Sequence, residues 1–194
     1  MSLRAYYRNP TGGDLSLPQD SGRPVSEQKL RALGCKWWLV EGSLDQRMEK
    51  FKELSKSLGF EDGDYEHFYD LSKQTGTPHD LAMIPKDVAQ MWGQNNLLPF
   101  NVFVLYVASN AYLDLKEPGT NAFIRLVIPP KYALFCPGGT VFQASGHEDA
   151  LLDVAVHVLF RATDPASVVT FGEEVDKHPT RVDYVQSVTG STEA

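Results

Sequence analysis

Between residues 100 and 171 the chain is cut into short runs of β-branched and aromatic residues, and this most constrains what it can fold into. The runs cover 100–108, 111–115, 122–128, 133–135, 140–144, 151–160 and 168–171. Ser-Asn, Glu-Pro-Gly, Pro-Pro, Pro-Gly-Gly and Ser-Gly-His-Glu-Asp stand between them. Glycine and proline end a run because one supplies positive φ and the other removes a backbone donor. Many short strands at such spacing predict an antiparallel sandwich or a small barrel.

The first half reads differently. A turn-rich arm reaches to about residue 24 and opens with a strand over 3–8. Ser26 is placed to cap a helix that Gly34 ends, followed by a buried strand over 35–40. Met48, Phe51, Leu54 and Leu58 recur at three- and four-residue steps, which predicts a helix over 44–58. Further helices are expected over 65–73 and over 85–92, the latter with Pro85 in its first turn. The polar stretch 178–194 reads as a loose tail. The expected organisation is one domain over 1–177, with an arm and helical portion at 3–92 and barrel strands at 94–171. The fold class is mainly β with N-terminal helices.

Charge and cysteine usage exclude several functions. Eighteen Lys and Arg against 25 Asp and Glu leave a formal charge of −7, which disfavours nucleic acid or an anionic membrane as partner. No apolar run is long enough for a membrane span or a signal peptide, so a cytoplasmic protein is expected. Cys35 and Cys136 are the only cysteines and offer neither a disulfide framework nor a thiolate zinc site. Cys136 reads as a small buried hydrophobe.

Ala5-Tyr6-Tyr7, Gly22-Arg23-Pro24-Val25-Ser26, Leu30-Arg31-Ala32-Leu33-Gly34 and Trp37-Trp38 form an ordered series in the first part of the chain. Ala111-Tyr112-Leu113-Asp114-Leu115, Phe123-Ile124-Arg125-Leu126 and Pro137-Gly138-Gly139 continue it. In order and spacing these segments resemble the acireductone dioxygenases, metal-dependent members of the cupin superfamily, over roughly residues 3 to 170. The resemblance implies a cupin-like antiparallel β-barrel, or jelly roll. It also implies one Fe or Ni ion held by an H-x-H-x-x-x-E strand motif and a later histidine. Counting from the matched segments puts those positions at Asn96, Leu98, Val102 and Phe142, and the family's substrate-binding arginine at Val104. Leu, Val and Phe side chains have no lone pair, and one primary amide is a weak oxygen donor. No metal and no other cofactor is therefore expected.

Side chains of a strand reach one face at every second residue, so Asn96, Leu98, Phe100, Val102, Val104 and Tyr106 are expected to share a side. Either these positions fill the barrel as core, or they line a dry pocket for an organic ligand. Leu98, Phe100, Val102, Val104 and Phe142 would shape such a pocket. Asn96, Tyr106 and His157 are the candidate catalytic groups, able to orient a carbonyl or exchange a proton. Arg125 is expected to face solvent. Trp37, Trp38, Tyr6 and Tyr7 are read as core packing, the pair Asp62 and Asp64 as turn chemistry, and His147-Glu148-Asp149 as a solvated loop.

The function expected on these grounds is a metal-independent isomerase, cyclase or lyase acting on an oxygenated apolar small molecule in the barrel. Two alternatives stand beside it. One is a non-catalytic partner or regulatory protein; the other is a working dioxygenase with ligands from outside the motif, such as His79, His147 or His157 with Glu148. A homodimer is left open.

Overall fold

The computed structural model describes residues 3–10, 13–62, 64–70, 94–108, 110–146, 155–160 and 169–190. Its strands pair antiparallel throughout and form two sheets. In the larger sheet lie β1 (Arg4–Arg8), β2 (Asp20–Pro24), β5 (Asn96–Leu97), β7 (Ala111–Lys116), β8 (Phe123–Ile128), β10 (Val141–Gly146) and β12 (Thr170–Phe171). Their spatial order is β12-β5-β10-β7-β8-β1-β2. In the smaller sheet lie β3 (Lys36–Leu39), β4 (Tyr65–Asp70), β6 (Val102–Ala108), β9 (Tyr132–Cys136) and β11 (Ala155–Phe160), in the order β3-β9-β6-β11-β4.

The sheets meet across an apolar core. Leu113 and Leu115 of β7 and Ile124 and Leu126 of β8 pack in one cluster with Tyr106 of β6 and Leu134 of β9. These are alternate residues of each strand, as the two-residue period of a pleated sheet requires.

Helix α1 (Glu27–Ala32) begins at Ser26, whose hydroxyl accepts from the Lys29 amide at 3.2 Å. Helix α2 (Leu44–Ser57) starts in a capping box: Ser43 accepts from the Gln46 amide, and the Gln46 side chain accepts from the Ser43 amide. Both caps satisfy amides that a helix start leaves unpaired. Along α2 the predicted spacing delivers Met48, Phe51, Leu54 and Leu58 to the outer face of the smaller sheet. Phe51 stacks on Phe103 with centroids 4.3 Å apart, and Trp38 meets Phe103 edge-on at 5.6 Å. Trp38 is thus core, as expected, and so is Trp37, which packs on the inter-sheet cluster.

Three expectations are corrected. Of the helix foreseen over 65–73, the described part, Tyr65–Asp70, is strand β4, because it pairs along its whole length with β11. The polar tail contains helix α3 (Pro179–Thr189), held to the barrel by two side chains that face inward. Arg181, 2% exposed, donates to the carbonyls of Gly139 and Lys116 at 3.3 Å, and the Tyr184 hydroxyl donates to Leu33 O at 2.8 Å. Arg125 does not face solvent: it is fully buried. Strand alternation does put it on the outer face of the larger sheet, but the arm covers that face. Its Nε and Nη2 donate to the Asp114 carboxylate at 2.7 and 2.8 Å, and its Nη1 donates to the Leu17 and Pro18 carbonyls. The helix foreseen over 85–92 lies outside the described residues.

Candidate active site

The four counted positions converge, although not along one strand. Residues 96 and 106 do not share a strand as expected, since β5 ends at Leu97 and β6 starts at Val102 in the other sheet. Pro99, which lacks a backbone donor, lies in the crossing. Asn96 stands opposite Phe142 in the β5–β10 pairing. Leu98 packs in a cluster with Val158, on which Phe100, Val102, Val104 and Phe142 also pack. All five expected lining residues are therefore in one place.

The Pro137-Gly138-Gly139 turn fixes this convergence. Gly139 N donates to Leu98 O at 2.9 Å, and Gly138 N donates to Asn101 Oδ1 at 3.0 Å. A Cβ on Gly138 would lie 2.9 Å from the Pro99 oxygen and the Phe100 Cα, so no side chain fits. Gly139 has φ +84°, and a Cβ there would lie 2.4 Å from the Thr180 carbonyl of α3. The two glycines seat the turn between residues 98–101 and α3, and Phe142 follows directly.

The donor set does not fit a divalent ion. Three of the four side chains carry no heteroatom, and the Asn96 amide nitrogen already donates to Gln94 O at 2.7 Å and to Phe142 O at 3.3 Å. First-row metals need several converging N, O or S donors. Among the described residues, no three His, Cys, Asp or Glu side chains group so as to hold one. Val104 brings no charge to the place where the resemblance puts an arginine.

The polar candidates are dispersed. Asn96 is buried and braces the strand pair through its amide. Tyr106 belongs to the inter-sheet cluster rather than to the Leu98 cluster, which it adjoins through Val102, Val104 and Phe142. Burial, with a smaller contribution from Cys136, pushes its hydroxyl far above the ordinary tyrosine value. Tyr106 therefore keeps its proton and can donate a hydrogen bond but will not serve as a base near neutrality. His157 occupies a β11 position opposite Leu105 and Phe68, while its neighbour Val158 is the one packed on Leu98. His79, His147, Glu148 and Asp149 lie outside the described residues. Asp64 accepts from the Glu61 amide at 2.7 Å, which is the turn chemistry expected there.

One position was missed. Val158 stands opposite Val104 on one side and His67 on the other, so β4 brings a histidine into register with the apolar cluster. Reading 65–73 as a helix hid it. The alternation of Tyr65, His67 and Tyr69 was the available signal.

Two facing antiparallel sheets closed on an apolar interior, with the family's site positions gathered on β5, β6, β10 and the segment between β5 and β6, define a cupin-like barrel. No family model matches the chain. It is 26% identical over 186 residues to acireductone dioxygenase 1 of Coprinopsis cinerea, covering 96% of this chain and 98% of that one. Acireductone dioxygenase 2 of the same fungus is 26% identical over 95% of this chain and 85% of its own length. The acireductone dioxygenase of Aspergillus fumigatus is 20% identical over 99% of this chain and its own full length. Among solved structures, a cadmium-bound acireductone dioxygenase from Bacillus anthracis superposes with a TM-score of 0.57 at 10% identity, covering 87% of this chain and 97% of that one. The chain thus has a cupin-like fold and is similar over nearly its whole length to acireductone dioxygenases, and the positions counted from that resemblance carry Asn, Leu, Val and Phe. The expected isomerase, cyclase or lyase is corrected by these relatives, all named as dioxygenases; neither it nor the non-catalytic alternative has a counterpart among them.

Among the described residues no helix is long and apolar enough to cross a membrane.

Proposed function

We propose that this protein is an enzyme of acireductone dioxygenase type, acting with dioxygen on a small enediol. The observation that carries this is a likeness spanning 96% of this chain and 98% of the Coprinopsis relative, rather than one shared motif. Leu98, Phe100, Val102, Val104 and Phe142 form a dry wall for the substrate. Polar contacts strengthen against such a wall because water does not compete for them. Tyr106, held protonated, supplies a hydroxyl that donates to a substrate oxygen, and Asn96 keeps β5 registered on β10. Any ion the activity uses is held by donors other than Asn96, Leu98, Val102 and Phe142.

The test uses full-length protein from cells supplied with iron and nickel, with bound metal measured by mass spectrometry and oxygen uptake followed on a synthetic acireductone. Substrate-dependent oxygen uptake is expected, lost on chelation and restored by Fe or Ni. An unchanged substrate in air with either ion present overturns the proposal.

A further inference from the structure

Sequence spacing separates Cys35 and Cys136 by about 100 residues, yet the sheet sets them face to face. The β3–β9 ladder pairs Lys36 with Phe135, Trp37 with Leu134, Trp38 with Ala133 and Leu39 with Tyr132. One step further along this register, Cys35 stands opposite Cys136. The hydrogen-bond alternation gives the kind of pair. Val40 N donates to Lys131 O at 2.7 Å, so counting back by twos makes Lys36 and Phe135 a hydrogen-bonded pair and Cys35 with Cys136 a non-hydrogen-bonded one. The Cys35 amide agrees, since it turns away from β9 and donates to Leu30 O at 3.2 Å.

Non-hydrogen-bonded pairs bring their Cα atoms to about 4.5 Å and their side chains closest. A disulfide accepts Cα separations of about 4.4 to 6.8 Å. Both cysteines are buried in the same cluster and both are free thiols. In keeping with this register, a hydrogen bond to Cys35, then burial, raises the Cys136 thiol well above its ordinary value.

We propose that Cys35 and Cys136 form a reversible cross-strand disulfide under oxidant, a staple between the end of α1 and the rim turn that seats Phe142. With hydrogen peroxide as oxidant, one thiolate attacks a peroxide oxygen, the O–O bond breaks and hydroxide leaves. The second sulfur then attacks the sulfenic sulfur, the S–S bond forms, and the displaced hydroxide leaves as water with the second thiol proton. Two thiols and one peroxide give one disulfide and two waters. The raised Cys136 thiol keeps the thiolate scarce, so the reaction is slow at neutral pH and quickens as pH rises. The inference is independent of the proposed activity.

The test treats the folded full-length chain with peroxide, then denatures it, alkylates it and weighs it. The expected product is a monomer lacking two hydrogens and carrying no alkyl label, with both thiols recovered by a reductant. The loop closed spans about 100 residues, so Tm should rise by roughly 5 to 10 °C. Cys35→Ser should show no such rise. Two labelled cysteines, separate sulfinic acids or a disulfide between two chains would each overturn the proposal, and this readout needs only the unsubstituted protein.

Discussion

The two faces of the larger sheet are built from the same strands and differ in everything else. Across β10, β7 and β8, the row Phe142, Leu115 and Ile124 turns inward, while the adjacent row Gln143, Asp114 and Arg125 turns outward. The inner row carries no charge. Outside, Asp114 accepts from Arg125 twice and from Arg8 at 2.6 Å, Arg8 also donates to Gln143, and the Arg125 guanidinium lies 4.4 Å from the centroid of Tyr112. The fold's polar chemistry is thus spent on docking the arm, where each donor is met by a carboxylate or a carbonyl. The positions at which the resemblance puts a metal carry apolar side chains, Asn96 apart. A one-residue shift of register would exchange the two rows, so the ion pair also fixes which row faces the barrel.

The largest effect comes from restoring donors on the inner face. Leu98→His with Phe142→His should add no Ni²⁺ binding to that of the unsubstituted protein, because Val102 still offers nothing. Adding Val102→Glu to these two should add one equivalent of Ni²⁺ by calorimetry, since three donors then converge beside Asn96. Equal Ni²⁺ stoichiometry in the double and triple variants would mean that the positions do not converge as described.

Next in size is the outer face. Asp114→Ala leaves Arg125 fully buried with no counter-charge, and unpairing a buried ion costs about 3 to 5 kcal/mol. Urea unfolding should show that loss, with proteolysis at the arm preceding global unfolding. A loss below about 1 kcal/mol would show the pair to be solvated. On the inner face, Leu98→Ala should cost roughly 2 to 3 kcal/mol, the low part of the range for a buried leucine. Phe100 and Val169 beside it are only partly buried and can collapse into the space. A cost near zero would mean an open pocket at Leu98 rather than packing.

The same contrast explains what the sequence made legible. The short strands, α1, α2 and the four site positions depend on local spacing, and counting from Tyr112 and Pro137 reached residues that do meet. The failures are all non-local. Tyr65–Asp70 carries three- and four-residue apolar steps that suit a helix, and only pairing with β11 makes it a strand. Arg125 alternates outward, and nothing near it in sequence reveals that Leu17 and Pro18 will lie over it. Arg181 and Tyr184 sit in a polar stretch whose buried partners, Gly139 and Leu33, are far upstream. Cysteine spacing showed no pair because Cys35 and Cys136 are neighbours only across a ladder.

The smallest expected effect lies at the rim, where water reaches an ion pair. Glu117 accepts from the Tyr7 hydroxyl at 3.0 Å and pairs with Lys29 Nζ at 2.7 Å. Burial alone would raise the Glu117 carboxyl, but the bonds from Lys29 and Tyr7 outweigh it and hold the carboxyl below its ordinary value. The same bond from Glu117 raises Lys29 against its own partial burial. A lowered carboxyl stabilises the fold above its unfolded value, and that contribution is lost as pH falls through the folded one. A raised lysine stabilises below its unfolded value, and that contribution is lost as pH climbs through the folded one. Stability from this pair is therefore level across neutral pH and falls at both ends. Lys29 is 43% exposed, so solvent screening keeps the effect under about 1 kcal/mol. Glu117→Gln should flatten the acid limb of a Tm-against-pH curve slightly while leaving the Asp114 ion pair intact. An acid limb unchanged in Glu117→Gln would assign that loss to other carboxylates.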